Sequence, residues 1–341
     1  MTRGGAHRVS PPGHRRSRDR QRGSSQGRGS SQGRGDSQGP GEAGRGGGPE
    51  DLVVEARDLA LRFGGVTSLD GVSLRQRRGE ILAVIGPNGA GKTSLFNCLT
   101  GAYRPQQGSV TFWPRPGRQA ELVGRSPHAI TRLGVARTFQ NIRLFPALSA
   151  LENVQIGTEV RQRYGPLAAV LGLPGARRAE RDGVRHALEL LELVGLPHRA
   201  HELASSLPYG EQRRLEIARA LGTEPRLLLL DEPAAGTNPA EKRDLAELII
   251  RIAGTGVSVL LIEHDMRLVM SVATSVVVLN FGRIIASGTP VEVQRDPAVI
   301  EAYLGLADAG AADPDVVDPD VVDPDVVDPG AAGPAGWKEL R

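Results

Sequence analysis

The sequence predicts an α/β fold: a mostly parallel sheet core, an antiparallel β subdomain at its N-terminal side and a helical subdomain inserted into it. Three observations carry that expectation. Apolar runs at 81–85, 227–230, 257–262 (interrupted by Ser258) and 276–279 suit strands buried on both faces. Helix-forming stretches alternate with them, at about 92–100, 210–221, 240–253 and 266–272, as parallel strands require of their connections. From about 126 to 206 helical spacing replaces strand patterning almost throughout.

Order begins near Asp51. Leu52, Val54, Leu59, Leu61 and Phe63 alternate as strands do, and Val72 and Leu74 alternate again. Gly79-Glu80 turns the chain into the first buried run, 81–85, and a helix follows it. Within the insertion, Val184, Ala187, Leu188 and Leu191 recur at helical spacing, and 148–157 also reads as helix. Its one strand-like run is 135–139. The segment 164–175 is apolar but broken by Pro and Gly, and reads as a loop packed on the insertion.

The 341-residue chain has ends unlike its middle. Residues 1–50 hold ten Arg against Asp19, Asp36, Glu42 and Glu50, a net charge of +6. Residues 307–341 hold nine acids against Lys338 and Arg341, a net of −7, and repeat Asp-Pro-Asp-Val-Val from Asp313 to Asp328. Neither end has the apolar side chains to offset its ordering entropy, so both are expected to be disordered tails around a domain at 51–306. The overall +3 averages opposite tails and says little about partners. A single cysteine, Cys98, excludes an internal disulfide and fits a reduced compartment. No apolar run approaches the ~20 residues that span a bilayer. No hydrophobic segment follows the basic N-terminus as it would in a secretory signal. Lys occurs only at 92, 242 and 338, with Arg at every other basic position. A retained Lys marks a place where a compact ammonium is needed.

Gly86-Pro87-Asn88-Gly89-Ala90-Gly91-Lys92-Thr93 matches the phosphate loop G-x-x-x-x-G-K-[ST], set between a buried strand and a helix. The glycines let backbone N–H groups converge on phosphate oxygens, and the helix N-terminus adds positive partial charge. Lys92 would reach the β- and γ-phosphates of ATP, Thr93 would ligate Mg²⁺, and Ser94 adjoins them. Four leucines then lead to Asp231-Glu232, two acids at a strand's carboxyl end, where ligands of open α/β sheets bind. Asp231 can hold the Mg²⁺ shell and Glu232 can polarise the attacking water.

The run 207–221, Leu-Pro-Tyr-Gly-Glu-Gln-Arg-Arg-Leu-Glu-Ile-Ala-Arg-Ala-Leu, resembles the signature motif of ABC ATPases, and the resemblance covers about 51–306. It implies a P-loop NTPase of ABC type. Under it, Gln140 in Arg137-Thr-Phe-Gln is the Q-loop glutamine and a Mg²⁺ contact. His264 is the switch histidine, and Phe63 the aromatic that stacks on adenine. Residues 233–238 form the D-loop, and Gly210 and Glu211 contact nucleotide. The usual Leu-Ser-Gly-Gly-Gln is altered here by Pro208, Tyr209 and Glu211, and the D-loop Asp is Asn238. With Val135–Phe145, the Ala-Ala-Gly-Thr-Asn-Pro D-loop and Ala302-Tyr-Leu-Gly305, these features resemble the LivG-type ATPase subunit of branched-chain amino-acid importers. Urea importers and the lipopolysaccharide exporter have related ATPases.

The resemblance further implies a head-to-tail dimer with ATP between the phosphate loop of one subunit and the signature helix of the other. The second ATPase subunit is expected to be a different chain, with a second copy as the alternative. Two integral-membrane permeases, and indirectly an extracytoplasmic solute-binding protein, complete the set at the cytoplasmic face of the plasma membrane. Phe139 and Leu144-Phe145-Pro146 are candidate permease contacts. Two other readings compete. The Arg-rich N-terminus motivates a nucleic-acid- or ribosome-associated ATPase. Soluble ABC ATPases of translation usually carry two cassettes, and this chain has one, so no nucleic acid is expected. Pro208 and Asn238 motivate a scaffold with little hydrolysis; the intact Glu232 and His264 oppose it.

Overall fold

A computed structural model describes residues 51–160 and 174–309. Strands β1 (Leu52–Phe63) and β2 (Val66–Arg77) pair antiparallel, and β4 (Gln107–Arg115) and β5 (Arg118–Glu121) extend them into a four-stranded sheet of order β2-β1-β4-β5. This antiparallel section is larger than the alternation at 52–74 indicates. Strand β4 buries Val110, Phe112 and Trp113, and β5 buries no residue, so β5 leaves no hydrophobic pattern to read.

The second sheet has the order β10-β9-β3-β8-β7-β6. Strands β3 (Ile81–Ile85), β6 (Val135–Arg137), β7 (Leu227–Asp231), β8 (Ser258–Ile262) and β9 (Ser275–Asn280) are parallel; β10 (Arg283–Gly288) returns antiparallel to β9. Every residue of β3, β7 and β8 is buried, which is why they read as apolar runs, with only Asp231 at the end of β7 and Ser258 at the start of β8 polar. Helix α1 (Lys92–Leu99) inserts Leu95, Phe96 and Leu99 into a core with Leu59 and Leu69 of the first sheet, joining the two sheets.

The start of the helical insertion needs correcting. Helix α2 (Pro127–Leu133) ends at Gly134 in a left-handed turn (φ 113°), which feeds directly into β6. Val135, Ala136 and Arg137 then pair with Leu227, Leu228 and Leu229 of the main sheet. The insertion therefore begins beyond β6 rather than near Ser126. It contains α3 (Ala150–Glu159) and α4 (Pro174–Leu193), and α5 (Tyr209–Gly222) packs against both. Ser149 and Glu152 close a reciprocal capping box on α3. On α4, Ala187, Leu190 and Leu191 are buried, whereas Leu188, read as part of that face, is exposed.

Helices α6 (Pro239–Gly254), α7 (Met266–Val272), α8 (Pro290–Gln294) and α9 (Pro297–Ala309) complete the fold. The expected loop at 164–175 lies outside the described residues except for Pro174 and Gly175, which open α4. The expected tails also lie outside them, apart from 307–309, which belong to α9. No described helix is long and apolar enough to cross a membrane.

Candidate functional site

Strands β3, β8 and β7 are neighbours, so their carboxyl ends open side by side. Residues 86–93 leave β3. Gly86 has φ 148°, and a Cβ there would sit 2.0 Å from the Leu279 carbonyl oxygen. Gly91 has φ 100°, and its Cβ would meet the Ser68 carbonyl at 2.4 Å. Only glycine fits either place. Gly91 is the N-cap of α1 and supplies no side-chain acceptor, so the first-turn amides are left for a ligand. Lys92 is buried, and its Nζ donates to the carbonyls of Gly86 and Pro87 at 2.8 Å each. Burial pushes its ammonium below the usual lysine range, opposed by the negative charges of Glu232 and Asp231. Asn88, Gly89 and Thr93 are exposed, Ala90 is buried, and Ser94 Oγ accepts from Ser68 at 2.7 Å.

Strand β7 ends in Asp231, whose carboxylate takes Arg137 Nη2 at 2.6 Å. Arg137 also donates to Asn97 Oδ1 at 2.6 Å, and its guanidinium lies over the rings of Phe96 and Phe139. Glu232 follows in a left-handed conformation (φ 47°), costly for a residue with a Cβ, and its N–H is held by the Ile262 carbonyl at 3.0 Å. Gln140 Nε2 donates to Glu232 Oε2 at 3.2 Å, and His264 Nδ1 stands 3.9 Å from the same oxygen. His264 is 62% exposed, while its neighbour Glu263 is fully buried and accepts from the amides of Ala234, His264 and Asp265. Glu263 thus fixes the turns that carry Glu232 and His264.

The donors fit Mg²⁺: the Thr93 hydroxyl, the Gln140 amide oxygen and the Asp231 carboxylate are hard oxygens. Among the described residues no group of three or more His, Cys, Asp or Glu forms a metal cage. Mg²⁺ typically takes one or two carboxylates and completes its shell with phosphate oxygens and water.

The phosphate loop, Asp231, Glu232, Gln140 and His264 therefore come together. Phe63 is half exposed and meets Tyr103 edge-on at 5.1 Å between centroids. Gly210 and Glu211 have other partners. Glu211 ion-pairs with Arg199 at 3.1 Å, and Gly210 abuts the Glu241 carboxylate. Pro208 stands at the N-cap of α5 with no capping side chain. Asn238 caps α6 by accepting from the Ala240 and Glu241 amides at 2.9 and 3.0 Å, so the amide does the local work of an aspartate.

Sequence reasoning gave no role to Arg137, Arg213, Glu216 or Tyr303. The Tyr303 hydroxyl hydrogen-bonds the Gly86 backbone, and burial pushes its pKa up. Arg213 and Glu216 lie beneath residues 139–143. The only signal was charge on a helix that must bury one face.

The ABC transporter family model matches residues 69–235, and the branched-chain amino acid ATP-binding cassette transporter model matches 283–309. The chain is 46% identical to the high-affinity branched-chain amino acid transport ATP-binding protein BraF of Pseudomonas aeruginosa, over 75% of this chain and 98% of that protein. It is 46% identical to the corresponding LivG of Salmonella typhimurium, over 73% and 96%. Among solved structures, an ATP-binding cassette of an ABC transporter in its ADP conformation superposes with a TM-score of 0.64 at 31% identity, covering 74% of this chain and 99% of that one.

Proposed function

The chain belongs to the ABC transporter family as an ATP-hydrolysing subunit, and we propose that the importer it drives carries branched-chain amino acids. The observation that supports the site assignment is the meeting of Lys92, Asp231, Glu232, Gln140 and His264 at the ends of four adjacent strands, β3, β8, β7 and β6. The substrate assignment rests on the likeness to BraF and LivG.

In this reading residues 86–93 cradle the phosphates of ATP through backbone N–H groups, and Lys92 turns from its two carbonyls to the β- and γ-phosphates. Phe63 stacks on adenine. Thr93, Asp231 and Gln140 would hold Mg²⁺, which would supply positive charge beside the phosphate oxygens. Glu232 polarises water, and its strained backbone fixes where the carboxylate points. Gln140 and His264, both beside Glu232 Oε2, orient that water and the γ-phosphate. These residues act by position and electrostatics, as phosphoryl transfer needs.

Gly210, Glu211 and the uncapped start of α5 face the nucleotide of an opposed ATPase subunit, a different chain in the favoured arrangement or a second copy. Two permeases bind the pair at the cytoplasmic face of the plasma membrane, where the chain is peripheral, and a solute-binding protein acts outside. Residues 51–306 form the ATPase domain, and the terminal tails contribute nothing to nucleotide binding.

The test is MgATP-driven uptake into proteoliposomes holding the full chain with its permeases and partner ATPase. Labelled leucine should accumulate and labelled urea should not. Uptake of urea without leucine would move the chain to the urea importers.

A further inference from the structure

Arg213 and Glu216 form a buried ion pair, 3.4 Å apart and one turn apart on α5, with side chains 4% and 1% exposed. Burying two charges is costly unless hydrogen bonds compensate them. Here the compensating groups come from the backbone of residues 139–143. Arg213 Nη1 donates to the Phe139 carbonyl at 2.6 Å, and Nη2 donates to the Gln140 carbonyl. Glu216 Oε1 accepts from the Phe139 and Arg143 amides at 3.4 and 3.3 Å. The segment is neither helix nor strand, so its backbone groups depend on these two side chains. Arg213 Nη2 also donates to the Tyr209 hydroxyl at 3.1 Å, and the Tyr209 ring packs against Gly236.

The two ends of this assembly face different tasks. Gln140 reaches Glu232 at 3.2 Å, while Tyr209 and Gly210 open the first turn of α5. We infer that Arg213 and Glu216 are positioning residues that tie Gln140 to the signature helix, so that a shift of α5 is carried to the carboxylate that polarises water. The inference rests on the roles proposed above for Gln140 and α5. A guanidinium that spans two successive carbonyls resists both sliding and rotation of the segment, whereas a single ammonium would allow either. Engagement of α5 by nucleotide on an opposed subunit would thereby be felt at this subunit's own Glu232.

The full chain with its partner subunit is assayed as wild type, as Arg213→Lys, and as the double variant Arg213→Met/Glu216→Leu, which removes both charges at similar volume. The double variant should lower kcat roughly tenfold, the scale of a misplaced catalytic group, with KM for ATP changed less than about twofold. Arg213→Lys should fall between it and wild type. Gln140→Ala should cost roughly tenfold in the wild-type background and under about twofold in the double variant, because both act through one position. Wild-type kcat in the double variant, or full additivity with Gln140→Ala, overturns the inference. Should the double variant fail to fold, amide hydrogen exchange of the wild type decides. MgATP should slow exchange in 139–143 and 209–216 together, and independent responses overturn the inference. A wild type that binds ATP without hydrolysing it would count against the ATPase reading, while the exchange result would still decide the link.

Discussion

Arg137 Nη2 lies 2.6 Å from Asp231 Oδ2, with both side chains under 10% exposed. The pair links the strand before the Q-loop to the strand carrying the acids, and Asn97 on α1 holds the same guanidinium. The three elements bearing the phosphate loop, the Q-loop and Asp231 thus share one cation. Removing it leaves a buried carboxylate alone, so Arg137→Met should cost about 3–5 kcal/mol in urea unfolding. Adding Asp231→Leu should recover most of that loss. A wild-type midpoint for Arg137→Met would show that Asp231 finds its compensation elsewhere.

Lys92 and Glu232 should separate binding from chemistry. Lys92→Ala should abolish MgATP binding at physiological concentrations, and Lys92→Arg should fail too, because a planar fork cannot replace a point charge in the loop. Glu232→Gln should keep binding and lose at least ~10²-fold in hydrolysis. With MgATP, and with its partner ATPase subunit included where the chain alone stays monomeric, it should accumulate a closed dimer on size exclusion, absent with ADP. Wild-type turnover in Glu232→Gln, where Lys92→Ala is inactive, would pass the role to His264.

Cys98 sits on the inner face of α1, and burial pushes its thiol up to about 11. In native protein at pH 8 it should resist iodoacetamide and react fully only in denaturant. Rapid native alkylation would mean that α1 opens readily.

Asp265 caps α7 by accepting from the Arg267 and Leu268 amides, and Lys242 of α6 donates to it at 2.7 Å. The Lys242 ammonium, then the cap amides, hold its carboxyl below the usual aspartate range. A depressed carboxyl stabilises the fold above its unfolded pKa of about 3.9, and that contribution disappears as pH falls through the folded value. Asp265→Ala should therefore cost about 1 kcal/mol at pH 7 and progressively less below pH 4. A pH-independent cost, measured by urea unfolding at both pH values, would assign it to packing alone.

The phosphate loop was legible because its chemistry and its context occupy consecutive residues: a buried strand, glycines, Lys92 and a helix. Asp231 and Glu232 were legible for the same reason, at the end of four leucines. The edge strand β5 was less so, since an exposed strand needs no apolar alternation. The insertion was placed too early because α2 reads as helix whether it belongs to the insertion or leads into the main sheet.

The sequence by itself determined which apolar segments form the main sheet and that a glycine loop follows β3 and two acids close β7, because apolar periodicity and glycine conformation act over a few residues. Only the tertiary structure decided that Arg137 meets Asp231, 94 positions away, and that Arg213 meets Phe139, 74 positions away. A buried arginine and a solvated one look the same in a sequence. What separates them is whether the fold brings a carboxylate or a backbone carbonyl to the guanidinium in place of water, and that depends on how strands and helices distant in sequence pack together.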